Sequence, residues 1–300
     1  MIQATNRSPA LSRQAQLVAA ALPSGGWPYY SGKGARIEPT CWALLALGGA
    51  TSTEAVRATT GAASFLRSLQ HDDGLLVEPG TSAPNYGWNA LALLALAGEP
   101  IAGTAELAGK IATRMLDVKG IKLPANPVIK VNTALQAWSW TPATFSWVEP
   151  TAYALLALKR FGATGPATGS RIADAEAVIL DRVCESGGWN YGNSQVLSQD
   201  LRPYVPTSAL ALLTLQHRGD HPAVVKSLEW LGTHATTERS AMALALAAIC
   251  LHVYKRPIDA VLKALSDERA RTGLIGNVHL LAMATYALAL PGRGARAFTY

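Results

Sequence analysis

The amino-acid sequence predicts an all-α fold, an (α/α)6 toroid in which Ala/Leu-rich inner helices are enclosed by amphipathic outer helices. The first observation is composition: of 300 residues, 49% are hydrophobic and only 15% charged, against about 25% charged in an average domain. The second is a short helical sequence that recurs along the chain, and the third is the amphipathic segment between copies. The longest uninterrupted apolar run, Ala241–Leu251, is well short of the ~20 residues that a bilayer span needs. We therefore expect one soluble domain over residues 1–300.

The recurring sequence predicts six inner helices. Most copies open with Thr, Ser or Asn, which are good N-cap residues, and continue in Ala and Leu, which are strong helix formers. Apolar character on every side of the helix indicates burial on every side. The copies are Glu38–Gly49, Trp88–Gly98, Glu149–Gly162, Pro206–Leu215, Glu238–Ile249 and a weaker one, His279–Leu290.

The segments between these copies predict six outer helices. In TEAVRATTGAASFLRSLQ, for example, apolar residues share one helical face and Arg and Gln lie opposite, the pattern of a helix packed on one side only. The segments are Leu11–Ala21, Thr53–Gln70, Ala102–Asp117, Arg171–Val183, Pro222–Leu231 and Ile258–Ser266. One-sided helices alternating with fully apolar ones favour two concentric rings.

Two loop patterns also recur. An aromatic glycine turn occurs at Ser24–Gly32 (SGGWPYYSG), at Ser186–Ser194 (SGGWNYGNS) and, more loosely, at Ala83–Asn89 (APNYGWN). Glycine permits the turn, and Trp and Tyr are expected to pack against neighbouring helices. The other pattern, SLQHDDGLL at Ser68–Leu76, ends an outer helix.

These patterns together resemble the squalene–hopene cyclase and prenyltransferase repeat superfamily, as a single-domain, bacterial-type member. The Gln-x-x-Asp-Gly end of the outer helix, the GGW turn and the Thr-Ala that precedes ALLAL carry the resemblance, which covers roughly residues 10–290. The resemblance implies an (α/α)6 toroid with a central apolar cavity for an isoprenoid.

The resemblance also suggests candidate catalytic residues. Class II terpene cyclases of this superfamily protonate their substrate with an Asp-x-Asp-Asp-Thr-Ala motif, which this sequence lacks. Aligning on Thr-Ala places Glu149 where the proton donor would be, and Glu38 and Glu238 in the first and fifth copies. Burial in apolar surroundings would raise the pKa of such a Glu and keep it protonated. The alternative is a structural role repeated at helix starts, because a carboxylate near the N-terminus of a helix is stabilised by the helix dipole.

Aromatic residues surround the preferred candidate, Glu149. The stretch Leu135–Tyr153 is rich in them, and aromatic faces attract cations. Ordinary packing of large side chains is the alternative. The predicted substrate-binding residues are Trp42, Trp88, Trp140, Trp147 and Tyr153.

No metal site is expected from the residue pattern. Asp72 and Asp73 form a pair of the type that binds magnesium diphosphate, but their place in a turn favours a structural role. Glu38, Cys41 and His279 could converge where the ring closes, as zinc ligands do in protein prenyltransferases, although Cys is commonly just a buried apolar residue. We expect no cofactor, with magnesium needed only if the substrate is a diphosphate, and no zinc.

The sequence therefore predicts an isoprenoid-processing protein, with protonation-initiated cyclisation of a polyprenyl substrate as its boldest form. A non-catalytic isoprenoid or lipid carrier and a carbohydrate-active toroid enzyme, lyase or hydrolase, are the alternatives. The net charge of +6 is dispersed, so nucleic acid is not an expected partner; an anionic membrane surface or a diphosphate fits better. The N-terminal residues lack the apolar core of a secretory signal, which predicts a cytoplasmic location, with peripheral contact to the inner membrane surface as an open alternative.

Overall fold

A computed structural model of the protein describes residues 12–98, 101–124, 128 and 130–300. Six helices of this part of the chain are buried almost throughout and correspond to the predicted inner set. Their bounds are α2 Ile37–Leu47, α4 Tyr86–Gly98, α6 Val148–Phe161, α8 Val205–Thr214, α10 Ala241–Val253 and α12 Val278–Leu288. Each packs on the next, and α12 packs on α2. The inner helices therefore close into a ring, which confirms the predicted all-α toroid.

The outer helices follow the same alternation. Their bounds are α1 Arg13–Ala19, α3 Thr53–Ser68, α5 Ala105–Asp117, α7 Pro166–Asp181, α9 Pro222–His234 and α11 Asp259–Thr272. Each packs on at least one inner helix. Helix α7 begins five residues before its predicted start, since Pro166 is favoured in a first turn. The prediction for the first outer helix begins at residue 11, outside the described residues.

Buried tryptophans of the loops connect the two rings. The indole Nε1 of Trp27 donates to the Leu17 carbonyl at 2.7 Å, and that of Trp189 donates to the Ile179 carbonyl at 2.7 Å. The backbone N–H of Trp27 donates to Thr40 Oγ1 on the inner helix at 2.9 Å. Both tryptophans are fully buried. This confirms that aromatic residues of the glycine turns pack against neighbouring helices.

Glycine is required in these turns by backbone geometry. Gly26, before Trp27, has φ +74°, and a Cβ there would lie 2.8 Å from both the Phe65 ring and Thr40 Oγ1. Only a residue without a side chain permits the loop to approach the inner helix this closely.

The C-terminal tail packs into the middle of the ring. A short helix, α13 Leu290–Arg293, leads to a 3₁₀ turn, Arg296–Phe298, that contacts α4 and α6. Phe298 is fully buried. Its ring stacks on Trp42 at 5.7 Å between centroids and meets Tyr286 edge-on at 5.3 Å. The space that the sequence predicts for a central apolar cavity is thus occupied, at the level of Trp42, by the protein itself.

The remaining elements are small and lie in the connections. The 3₁₀ turns Gln216–Arg218, Ala235–Thr237 and Gly273–Gly276 follow α8, α9 and α11. A two-residue antiparallel ladder pairs β1 (Gln195–Val196) with β2 (Gln199–Asp200). In the described ranges, no helix combines the length and the apolar character needed to span a bilayer.

Candidate functional site

Ring closure brings three titratable residues to the same mouth of the toroid. Glu38, Glu149 and His279 are each the second residue of an inner helix, on α2, α6 and α12 respectively. Residues at the start of parallel inner helices lie at one end of the ring. The two carboxylates are close enough for Glu38 to raise the pKa of Glu149. The structure therefore brings together both predicted catalytic residues.

Neither carboxylate caps its own helix by a side-chain hydrogen bond. The N-cap residues Arg36 and Trp147 make none either. At α2 the helix start is capped by Glu78, a buried residue of the loop before α4. Its carboxylate accepts a hydrogen bond from the Ile37 N–H at 3.2 Å. Glu78 therefore makes the side-chain hydrogen bond at the start of α2, while Glu38 and Glu149 lie in the first turns of their helices, where the dipole alternative still applies.

Glu38 lies between a tyrosine and a histidine. The Tyr29 hydroxyl donates to Glu38 Oε2, and His279 Nε2 is 3.7 Å from Glu38 Oε1. The Glu38 side chain is 22% exposed, whereas that of His279 is 8% exposed. Burial raises the pKa of Tyr29, and Glu38 raises it further, so Tyr29 keeps its proton.

His279 is held as a neutral imidazole. Burial lowers its pKa, although the charge of Glu38 opposes the shift. Its Nε2 is buried and has no hydrogen-bond partner in the part of the chain that the structure describes. A neutral imidazole nitrogen in this position is available to a ligand or to water.

Glu149 is half-buried and is hydrogen-bonded by a neighbouring inner helix. The Thr207 hydroxyl of α8 donates to Glu149 Oε1 at 2.9 Å. Burial raises the pKa of Glu149 and Glu38 raises it further, while the Thr207 hydrogen bond opposes both. Because removal from water disfavours the charged form, Glu149 retains its proton to a higher pH than an exposed glutamate. This is the property that a general acid needs.

An aromatic residue lies one helical turn below each glutamate. Trp42 follows Glu38 and Tyr153 follows Glu149 at the i+4 position, on the same helical face. Burial raises the pKa of Tyr153, as do Glu38 and Glu149, so its hydroxyl stays neutral. These two predicted substrate-binding residues therefore form an aromatic layer beneath the carboxylates.

The other three predicted aromatic residues lie around α4 and the start of α6. Trp140 packs so tightly on Gly87 that a Cβ there would lie 2.4 Å from its ring. Trp147 pairs with Phe145 at 4.4 Å between centroids. Trp88 is half-buried against the core. For Trp140 and Trp147 these contacts match the packing alternative, and a substrate role for all three stays a prediction.

The aspartate pair lies in the turn after α3, within Ser68–Leu76, and Asp73 makes local contacts there. Asp73 Oδ1 accepts from the Leu75 N–H at 3.1 Å, and its carboxylate is 3.9 Å from Arg114. These contacts match the structural role expected for Asp73, and the role of Asp72 stays a prediction.

Glu38 and His279 do converge as the zinc hypothesis required. Cys41 lies on the same helix and is fully buried, and burial raises the pKa of its thiol well above the ordinary value. Among the described residues, no group of three or more His, Cys, Asp or Glu side chains is placed to hold a metal ion.

Sequence reasoning missed two polar partners of the site. Tyr29 lies in the aromatic glycine turn, and Thr207 lies in the helix start Val205-Pro206-Thr207 of α8. The repeated Glu-Pro-Thr-x-aromatic pattern of α2 and α6 was the available signal for the glutamate and aromatic layers. No local signal identifies either contact, because Tyr29 reaches Glu38 through the fold of the turn before α2, and Thr207 reaches Glu149 from a helix of another repeat.

Comparison with known proteins supports the fold alone. No family model matches the sequence, and no curated protein matches it at a significant level. Two structures of Salmonella alpha-2-macroglobulin, the mutant Y1175G and the protein reacted with methylamine, are similar to this chain with TM-scores of 0.50 and 0.51. Identity is 13% and 14%, and they cover 92% and 91% of this chain. This chain spans only 17% of the length of either.

A third similar structure, a glycosidase E335A in complex with glucose, has a TM-score of 0.39 at 10% identity and covers 96% of each chain. At that score it carries no argument. The relation that the comparisons show is therefore a coarse one, to α/α toroids. The finer resemblance to the cyclase and prenyltransferase superfamily stays a prediction.

Proposed function

We propose that the protein is a glycoside hydrolase whose active site lies at the mouth of the toroid. Glu149 is the general acid and Glu38 is the second carboxylate. The observation that carries the proposal is the convergence of two carboxylates from α2 and α6, one of which is buried enough to raise its pKa. Two carboxyl groups flanking the scissile bond are the usual apparatus of glycoside hydrolysis.

The proton chemistry favours an oxygen leaving group over an alkene. A glutamate whose pKa is raised by apolar surroundings is well matched to protonating a glycosidic oxygen near neutral pH. An alkene requires a much stronger acid, and the flanking acids of the cyclase motif are absent here.

The reaction would proceed at the anomeric carbon. Glu149 transfers its proton to the glycosidic oxygen as the C–O bond breaks. A water molecule adds to the anomeric carbon and gives its proton to Glu38. His279 Nε2, buried and 3.7 Å from Glu38 Oε1, accepts a hydrogen bond from a substrate hydroxyl or from this water.

The test is hydrolysis of four oligosaccharides, namely cellopentaose, xylopentaose, maltopentaose and chitopentaose, by the wild type and by Glu149→Gln. We expect Glu149→Gln to lower kcat at least 100-fold, since general acid catalysis contributes about 10²- to 10⁴-fold. Glu54→Gln is the matched control, because Glu54 is the second residue of an outer helix and is exposed. No hydrolysis of any substrate, or unchanged kcat in Glu149→Gln, would refute the proposal.

A second candidate function is the isoprenoid processing that the sequence predicts, as cyclase or prenyltransferase. A cluster of aromatic rings inside the ring favours it: Trp42, one turn below Glu38, contacts both Tyr286 and Phe298. An isoprenoid could enter this cluster only if Phe298 left the ring centre.

Incubation with farnesyl diphosphate, geranylgeranyl diphosphate and squalene, with and without magnesium, tests the second candidate. A product that depends on Glu149 would support cyclisation or prenyl transfer. Co-purified lipid without turnover would instead support the lipid-carrier alternative. Absence of both excludes the isoprenoid function.

A further inference from the structure

A cavity of about 390 Å³ opens beside α8 and α9. Its lining includes Arg202, Tyr204, Trp230, His234 and Glu238. Tyr204 and Glu238 stand just before α8 and α10, the same ends of the inner helices that carry the carboxylates. The cavity therefore lies at the mouth of the toroid.

The sequence alignment had placed Glu238 with Glu38 and Glu149, but the structure separates it from them. Helix α10 begins at Ala241, so Glu238 precedes the helix and ends a 3₁₀ turn. Its carboxylate lines the cavity instead.

The cavity combines a rigid aromatic wall with free polar groups. Trp230 stacks on His234 at 4.5 Å between centroids, and His234 Nδ1 is 2.8 Å from the Trp230 carbonyl. Tyr204 is 45% exposed. Within the described ranges, the Arg202 guanidinium and the Glu238 carboxylate make no hydrogen bond or ion pair with another residue.

This set of groups suits a neutral, polyhydroxylated ligand. The volume of the cavity is within the ~300–1,000 Å³ of small-molecule pockets, in which a few polar groups among aromatic side chains fix the orientation of the ligand. The guanidinium supplies donors and the carboxylate supplies acceptors, so the two charges offset each other. An exposed tyrosine ring provides a flat face for the apolar side of a sugar ring.

The cavity is linked to the carboxylates by a pair of exposed rings. Tyr204 lies 5.0 Å from Tyr191 between centroids. The Tyr191 carbonyl accepts a hydrogen bond from the N–H of Val148, the neighbour of Glu149, at 3.0 Å. Burial raises the pKa of Tyr191, and the charge of Glu149 raises it further. A ligand that extends from Glu149 across this pair reaches the cavity.

We infer that this cavity is a saccharide subsite, in which one neutral pyranose unit of an oligomeric substrate stacks on Tyr204 and bonds its hydroxyls to Arg202 and Glu238. The inference rests on the proposed function, since it names the substrate as a chain of sugars that extends past the site of cleavage.

The test measures calorimetric binding of the same four pentasaccharides to Glu149→Gln, which should not turn them over, and to Glu149→Gln carrying Tyr204→Ala or Tyr30→Ala. Tyr204→Ala should weaken binding of the preferred pentasaccharide about 5-fold, since an aromatic contact is worth ~1 kcal/mol. Tyr30→Ala is the matched control, because Tyr30 is a tyrosine of similar exposure, 43%, in the aromatic turn of the first repeat, and it does not line the cavity. In turnover, Tyr204→Ala should raise KM for the pentasaccharide and leave KM for a disaccharide unchanged.

The outcomes separate the subsite from the reaction. Binding by none of the four sugars, or equal binding by Tyr204→Ala and Tyr30→Ala, overturns the subsite. Specific loss of binding in Tyr204→Ala without turnover by the wild type supports the subsite and refutes the proposed hydrolysis. Turnover that depends on Glu149 but not on Tyr204 leaves the hydrolysis and overturns the subsite. Since Tyr204 is exposed, its replacement should leave the circular dichroism spectrum unchanged, and Tyr204→Phe should bind as the wild type if stacking dominates.

Discussion

Replacing Phe298 with Ala tests whether the C-terminal tail holds the ring together from its centre. The side chain is fully buried and packs on two aromatic rings, Trp42 at 5.7 Å and Tyr286 at 5.3 Å. Truncation of a buried Phe costs about 3–5 kcal/mol, and aromatic pairs add to simple burial. We expect the upper half of that range.

The corresponding fall in melting temperature follows from the size of the protein. An unfolding entropy of about 2.1 cal/mol/K per residue, over 300 residues, is about 0.6 kcal/mol/K. A loss of about 4–5 kcal/mol therefore lowers Tm by about 6–8 °C, which differential scanning calorimetry measures directly.

The control for this change is Phe161→Ala. Phe161 is 38% exposed at the end of α6, so its truncation should lower Tm by less than about 2 °C. Equal effects of the two substitutions would refute the placement of the tail in the ring. The same experiment has a gain-of-binding arm: benzene should raise the Tm of Phe298→Ala alone, because an apolar cavity of that size binds a small apolar ligand.

Three further predictions concern charge and backbone. The pKa of Glu149 is raised in the folded protein, so Glu149 contributes stability at low pH that is lost as the pH rises through that pKa. The wild type should therefore lose more stability between pH 4 and pH 8 than Glu149→Gln does. Urea denaturation at each pH measures the free energy of unfolding of both proteins. Lys159→Met should cost about 1–3 kcal/mol by the same method, since Glu176 loses its buried partner 2.7 Å away but keeps Arg218 at 2.8 Å; a loss under about 0.5 kcal/mol would contradict this. Gly26→Ala should lower Tm more than Gly32→Ala, because both have φ near +75° but only Gly26 has neighbouring atoms within 4 Å of an added Cβ; equal losses would show that φ alone decides.

The candidate site was predictable only in part. Glu38 and Glu149 were found because Glu-Pro-Thr repeats at the start of two inner helices, and repeated positions of a ring share one mouth. The hydrogen bonds to them come from Tyr29, in the turn before α2, and from Thr207, on α8 of another repeat. Local sequence does not indicate such partners, because the first contact depends on how the turn folds back on α2 and the second on the lateral packing of α6 and α8.

The sequence by itself determined the ring. Helices apolar on every side must be buried on every side, and amphipathic helices between them can supply only the outer layer; six repeats of that alternation leave a closed double ring as the solution. Glycine and tryptophan in the turns determined the local connections as well.

Only the tertiary structure decided what fills the ring. Phe298 lies in a short segment, ARAFTY, without helical periodicity, and nothing in its own pattern indicates burial between Trp42 and Tyr286. Its position depends on the width of the space that the inner helices leave, which is a property of their packing. The tertiary structure also decided the pKa of Glu149. The pKa of a carboxyl group depends on how far the surrounding elements exclude water, and those elements come from distant parts of the chain.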